Sequence, residues 1–175
     1  LHRNCRNSRW IARTSTALAK TEAKFFRRSP LGNKPKIDTV PSIVSMKGTV
    51  MKVVEQLLHQ HGLRPSQIVL IGPKNFENGS LGDIQQIDDV PLTGDVRIWL
   101  HGNALLVTTA RSFKGLEADA VLLYDLDRIS IGFSTVDLYV ACTRARSHIH
   151  FFATGKQMIA EIDNAIKAVQ QEFGT

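Results

Sequence analysis

A three-layer α/β sandwich around a mostly parallel sheet is the fold that the sequence predicts, and three observations predict it. The runs "QIVLIGP" (67–73), "NALLVTTA" (103–110) and "DAVLLYDL" (119–126) are apolar without polar alternation, the pattern of strands covered on both faces. Stretches of helical period alternate with them, which is the order expected of parallel strands joined by crossovers. The length, 175 residues with 43% hydrophobic and 22% charged, is enough to bury one core and stay soluble, so residues 1–175 are read as a single domain.

Taken in order, Ile11, Thr14, Leu18, Thr21 and Phe25 recur at helical spacing, with Asn7 or Ser8 placed to cap the start. "SPLGNKPK" (29–36) is a loop by composition. "TVPSIVSM" (39–46) is a short apolar run that ends where Lys47 and Gly48 open the next helix. In that helix Val50, Val53, Val54, Leu57, Leu58 and His61 form one stripe, and Gly62 ends it. "FSTVDLYVACTRAR" (133–146) reads as a helix running through Arg144 and Arg146, and "SHIHFFAT" (147–154) as the last strand. Ile159, Ile162, Ile166, Val169 and Phe173 mark a closing amphipathic helix. Residues 77–95, acidic and rich in turn formers, carry no element that the pattern assigns.

Charge is unevenly spread. Residues 1–36 hold ten Lys and Arg against one acid, Glu22, whereas residues 37–175 hold twelve basic and fifteen acidic groups. A basic third attracts phosphate. Charge alone leaves a solvated helix face and a nucleic-acid footprint equally open, and the Arg- and Ser-rich start also fits a targeting peptide. The chain begins at Leu1, which favours a piece of a longer protein over a transit sequence. No apolar run reaches the roughly 18 residues of a membrane span. Two cysteines, Cys5 and Cys142, make no disulfide framework, which fits a reducing, cytoplasmic setting. His148 and His150 sit two apart on a strand, on one face; with no third ligand nearby, an exposed strand face is expected and no metal site.

Ligands of open parallel sheets gather where strands end, so the residues after each apolar run carry the chemistry. Thr109, Arg111, Ser112 and Lys114 follow one run: hydroxyls and cations before Gly115, where backbone N–H groups can approach a phosphate closely. An ordinary strand-to-helix turn has the same composition. Asp125 and Asp127 follow another run, but no G-x-x-x-x-G-K-[ST] loop exists in the sequence, so a magnesium role for them is outweighed by capping or solvating the strand end. Arg144 and Arg146 either complement a helix carboxyl terminus or reach a phosphate held by another domain.

Three stretches together resemble the UvrD/Rep/PcrA-like branch of superfamily 1 DNA helicases, in their second, RecA-like domain. "NCRNS" (4–8) is similar to N-Y-R-[NS]-[ST], "TARSFKGLEAD" (109–119) to T-x-H-x-x-K-G-L-E-[FW], and "LYVACTRAR" (138–146) to [LY]-V-[AG]-x-T-R-A. The sequence departs from the pattern at Cys5, at Arg111 in place of His, and at Ala118 in place of an aromatic. The resemblance implies a RecA-like carboxyl-terminal motor domain of an ATP-dependent DNA helicase or translocase. Its ATP and Mg2+ would be held mainly by an upstream P-loop domain of the same protein, and single-stranded DNA would be its track. Arg144 and Arg6 would be arginine fingers on the γ-phosphate, while Glu117, with Gly115 and Lys114, would contact the nucleotide. Thr109, Arg111 and Ser112 would face the strand. The alternative is a non-catalytic nucleic-acid-binding module that keeps the fold.

Overall fold

Residues 7–22 and 28–174 are described by the computed structural model, and in it the apolar runs become the centre of a seven-stranded sheet. In chain order the elements are α1 (Arg9–Leu18), β1 (Lys36–Thr39), α2 (Ile43–His59), β2 (Ile68–Gly72), β3 (Gln86–Ile87), β4 (Val90–Thr93) and α3 (Val96–Leu100). They continue with β5 (Leu105–Thr109), β6 (Ala118–Leu126), α4 (Thr135–Cys142), β7 (Ala145–Ala153) and α5 (Lys156–Phe173). The sheet order is β1-β7-β6-β2-β5-β4-β3, parallel throughout except for the antiparallel pair of β3 with β4. This is the α/β sandwich that the sequence predicts.

The period of two along each strand sorts the core into two layers. Val69, Ile71, Leu106, Val121, Leu123, Ile149 and Phe151 face α1, α4 and α5. Ile68, Leu70, Leu105, Val107, Ala120, Leu122 and Phe152 face α2. Each of these but Ala120, removed from water, contributes about 1.5–3 kcal/mol. The unbroken apolar runs are therefore a consequence of helices on both faces. Outside the sheet, α1 and α5 are joined by Trp10 set edge-on to Phe173 at 5.1 Å, with the Arg9 guanidinium over the same ring at 4.9 Å.

Several boundaries differ from the sequence expectation. The first strand lies earlier, at Lys36–Thr39, because Pro41 has no N–H for a ladder and Ser42 accepts a hydrogen bond from Ser45 N–H, opening α2 at Ile43 rather than Lys47. Helix α1 stops at Leu18, with Lys20 in the left-handed region (φ 49°); Thr21 lies beyond the helix, and Phe25 lies outside the described residues. Ser8 stands at the N-cap position without a side-chain cap bond, and Asn7 is used elsewhere. Segment 77–95 forms the β3–β4 hairpin at the sheet edge. Strands of two and four residues, one of them holding Pro91, are too short to carry a period. Helix α4 ends at Cys142, whose buried thiol has its pKa pushed up by desolvation, and Ala145 already pairs with Ala118 in the sheet.

The face expected to be exposed on β7 is not. His150 is buried, stacked on Phe152 at 4.5 Å, with Nε2 3.1 Å from Asp38 Oδ2; His148 is partly buried. Burial lowers both imidazole pKa values, and His148, further disfavoured as a cation by His150, Lys36 and His61, falls to about 4. No group of three or more His, Cys, Asp or Glu among the described residues is arranged to hold a metal, and no helix among them is long and apolar enough to cross a membrane.

A base whose pKa is lower in the folded than in the unfolded chain stays neutral in the fold while the unfolded chain takes up its proton. The stability that neutral His148 preserves is therefore complete above about pH 6.5 and is lost as pH falls towards about 4. Between pH 7.5 and pH 5, the melting temperature of the wild type should fall by roughly 2–4 °C more than that of His148→Phe, measured by circular dichroism.

Candidate functional site

All the long strands run the same way, so the sheet has two distinct ends, and the residues singled out in the sequence divide between them. Thr109 closes β5 at the carboxyl end, whereas Ala118 opens β6 and Ala145 opens β7 at the amino end. Ile71 is in register with both Thr108 and Leu123, which sets Ala118 five residues, roughly 17 Å, below the level of Thr108. Residues 110–117 connect these two levels. Phe113 anchors the crossing: it is fully buried and packs on Trp99 at 5.6 Å, and the Trp99 indole N–H is held by the carbonyls of Ile68 and Pro65. Gly115 follows with φ 91°, a conformation that favours glycine, and a Cβ there would meet nothing within 4 Å. Its backbone is thus open to approach, beside the exposed Lys114.

At the amino end Asn7 and Ser8 meet the last residues of the other two motif stretches. Ala118 N–H donates to Arg144 O at 3.1 Å, which ties the residue after Glu117 to the turn between α4 and β7. Asn7 reaches the same turn from the other end of the chain: its amide donates to Thr143 O at 3.0 Å and to Ala145 O. Ser8 N–H donates to Arg146 O at 3.2 Å. Arg146 Nε donates to Glu117 Oε2 at 3.2 Å. The guanidinium of Arg144, partly buried, lies back along α4, with Nε donating to Val140 O at 3.2 Å and Nη2 to Thr143 Oγ1 at 3.4 Å. It shares the Val140 carbonyl, near the carboxyl end of the helix, with the Thr143 hydroxyl, which donates to it at 3.0 Å. Arg6 and Cys5 lie outside the described residues.

At the carboxyl end Thr109 Oγ1 accepts Ser112 N–H at 3.2 Å and donates to Ser112 Oγ at 3.1 Å, a hydroxyl-capped turn. Arg111 does not stand alone. Its Nε and Nη2 donate to the two oxygens of Asp137 at 3.0 and 3.3 Å, and Asp137 also accepts from Ser134 N–H, completing the capping box of α4. Arg111, then Ser134, holds the Asp137 carboxyl at about 2, well below the usual carboxylate range, despite its burial. A cleft of about 180 Å³ opens between this turn, the end of β2 and the start of α4, lined by Gly72, Asn75, Thr109, Arg111, Phe133 and Asp137.

Asp125, the strand-end acid of the sequence, accepts Ser80 N–H through Oδ2 at 2.8 Å from a left-handed conformation (φ 56°), so it secures the excursion after β2. Sequence reasoning missed Asp137. The signal available was Ser134-x-x-Asp137 before an apolar run, a capping-box pattern.

No protein-family model matches the chain, and no curated protein matches it. Among solved structures, it is similar to the C-terminal domain of a possible DNA helicase from Lactobacillus plantarum WCFS1, with a TM-score of 0.70 at 17% identity over 92% of this chain and 95% of that one. At that identity the likeness establishes a shared fold, and it spans nearly the whole of both chains.

Replacing Asp137 with Ala should remove the ion pair and the reciprocal half of the capping box, leaving the Ser134 cap, and cost roughly 1–2 kcal/mol in urea denaturation at pH 7. Because the folded pKa lies below the ordinary 3.8, this contribution is present above about pH 3.8 and disappears as pH falls towards about 2. The wild type and the variant should converge in stability across that interval.

Proposed function

We propose that this chain is the second motor domain of an ATP-dependent DNA helicase or translocase, presenting its amino-end cluster to a nucleotide seated on an upstream P-loop domain. The observation that supports the reading is that Asn7 and Ser8, the end of the 109–119 stretch at Glu117 and Ala118, and the end of the 138–146 stretch lie together. Asn7, Ala118 and Arg144 are joined there by backbone and amide hydrogen bonds although Asn7 is 136 residues from Thr143. Chance matches to three motifs have no reason to converge. The fold shared with a helicase C-terminal domain adds to it.

On this reading ATP and its Mg2+ supply a γ-phosphate made ready for transfer to water, and both are held by the upstream domain. The chain's own residues then act from across the cleft. Arg144, together with Arg6, brings a planar, always-charged donor fork to the γ-phosphate, where negative charge accumulates during transfer. For that, Arg144 must exchange its hydrogen bonds to Val140 O and Thr143 Oγ1 for the phosphate, a rotation about its own side chain that leaves the backbone bond to Ala118 in place. Glu117 accepts a hydrogen bond from the nucleotide sugar, and the Gly115 backbone and Lys114 lie towards the phosphates. Thr109 and Ser112 face single-stranded DNA at the opposite end of the sheet. Arg111, neutralised by Asp137, contributes position there more than net charge. The crossing segment 110–117 joins both ends, so closure on the nucleotide and grip on the strand involve one continuous piece of backbone.

One observation favours the second reading, a nucleic-acid-binding module without turnover. Arg144 already has work in the folded domain, at the carboxyl end of α4. The two readings part on a single measurement. In the full-length protein Arg144→Ala should lower ATP turnover about a thousandfold while nucleotide affinity changes only a few-fold. Turnover unchanged in that variant would rule out the motor reading. A melting curve of the variant separates this effect from loss of the α4 contact. Thr109→Ala with Ser112→Ala should weaken binding of single-stranded DNA while leaving the steep fall of affinity with salt in place, because hydroxyls release no counterions.

A further inference from the structure

Between α2 and the edge strand β1 runs a groove of about 630 Å³, lined by none of the residues placed in the two sites above. Strand pairing puts Lys36 beside His150 and Asp38 beside Phe152, on the sheet face that α2 covers. Gly48, Lys52 and Gln56, four residues apart along one flank of α2, form the opposite wall. His150, 5% exposed, is the floor, and burial disfavours its charged form. The charged side chains lining the groove are therefore Lys36, Lys52 and Asp38. Asp38 lies two residues from Lys36 on the same side of the strand, yet its Oδ2 is turned to His150 Nε2 at 3.1 Å. Neither lysine has a hydrogen bond or ion pair among the described residues, so both ammonium groups are left uncompensated. Gly48 is a second, independent sign. A Cβ there would meet nothing within 4 Å, and its φ is not left-handed, so neither packing nor backbone conformation accounts for a poor helix former inside α2. What the glycine does is leave the wall of the groove open to close approach.

We infer that this groove binds a small phosphomonoester that also carries hydroxyl groups, a ligand of the sugar-phosphate class. Lys36 and Lys52 hold the phosphate, Asp38 accepts a hydrogen bond from a hydroxyl, and the sugar lies against Gly48. The charges match: a phosphomonoester carries close to two negative charges at pH 7, against two ammonium groups. A carboxylate ligand would leave one of them over. Asp38, 43% exposed and with only one oxygen engaged by His150, can accept but not donate, which calls for a ligand with a donor beside its anion. The same carboxylate disfavours a nucleic-acid backbone, whose next phosphate would be brought towards it. The volume falls within the roughly 300–1,000 Å³ of small-molecule sites. This site is separate from the one proposed above for the nucleotide and does not depend on that reading.

The test is calorimetric titration of the full-length protein with ribose 5-phosphate, inorganic phosphate and ribose. Ribose 5-phosphate should bind more tightly than inorganic phosphate by roughly tenfold, the worth of one charge-assisted hydrogen bond, and ribose more weakly still. Lys36→Ala and Lys52→Ala should each weaken ribose 5-phosphate by roughly tenfold. Lys34→Ala removes an equal charge from a lysine that donates to Gln170 instead, and should leave affinity within about twofold. Gly48→Leu puts a side chain into the groove and should abolish binding, while its melting temperature stays at or above that of the wild type because leucine is the better helix former. Absence of ribose 5-phosphate binding up to roughly 10 mM would overturn the proposal. So would affinity that survives both lysine variants or Gly48→Leu, since the ligand would then sit elsewhere on the protein. Equal affinity for inorganic phosphate would remove the sugar from the site, and the proposal with it. A wild type that ignores ribose 5-phosphate, but loses affinity for single-stranded DNA when both lysines are replaced, would give the groove to a polymer backbone and end the small-ligand assignment.

Discussion

The arrangement of this domain turns on a length constraint. Residues 110–117 must leave the carboxyl end of β5, pass β2, and enter β6 at its amino end. Parallel neighbours usually take a dozen or more residues and a helix to do this. Here the chain has eight residues, able to reach about 27 Å when extended, for a path of roughly 20 Å. Such a segment has little slack. Phe113 and Trp99 pin its middle, Thr109 and Ser112 fold its first turn, and Gly115 takes the conformation that turns it into β6.

From that constraint follows the division of the polar residues. A segment that must span both levels in eight residues cannot gather its functional groups at one place, so the hydroxyls fall at one end of the sheet and Glu117 at the other. The rest of the domain supports each end separately. Helix α4 runs between them, its first turn joined to Arg111 through Asp137 and its last turn leading into Arg144. Asn7 closes the amino end by donating to two carbonyls of the α4–β7 turn. Removing that amide would take a buried donor from both, a heavier penalty than losing an exposed ion pair.

Much of this was legible in the amino-acid sequence, for identifiable reasons. The strands β2, β5 and β6 declare themselves because burial on both faces leaves an unbroken apolar run, and the helix α5 because one buried face writes a helical period. Segment 77–95 wrote none, since two short edge strands share their residues with turns. The end of α4 was overrun because Arg144 and Arg146 suit a helix terminus as well as a strand start, and the choice is made by Ala118, which is distant in sequence. The spacing of His148 and His150 predicts an exposed pair because nothing local shows that Asp38 lies against His150. In the site, the motif residues could be named from the sequence, but the pairings of Arg111 with Asp137 and of Arg146 with Glu117 could not. They join residues 26 and 29 positions apart, brought together by the crossing and by α4.

The neutralisation of Arg111 bears on any polyanion lying along the carboxyl end. A bare guanidinium would bind each passing phosphate tightly and surrender it slowly, so that progress along a chain of phosphates would be limited by escape from every step. On the reading proposed above, a turn that offers hydroxyls, with Arg111 already matched by Asp137, would hold such a chain only loosely. Low friction of this kind is what a surface needs if the polymer it carries is to slip forward and be caught again many times over.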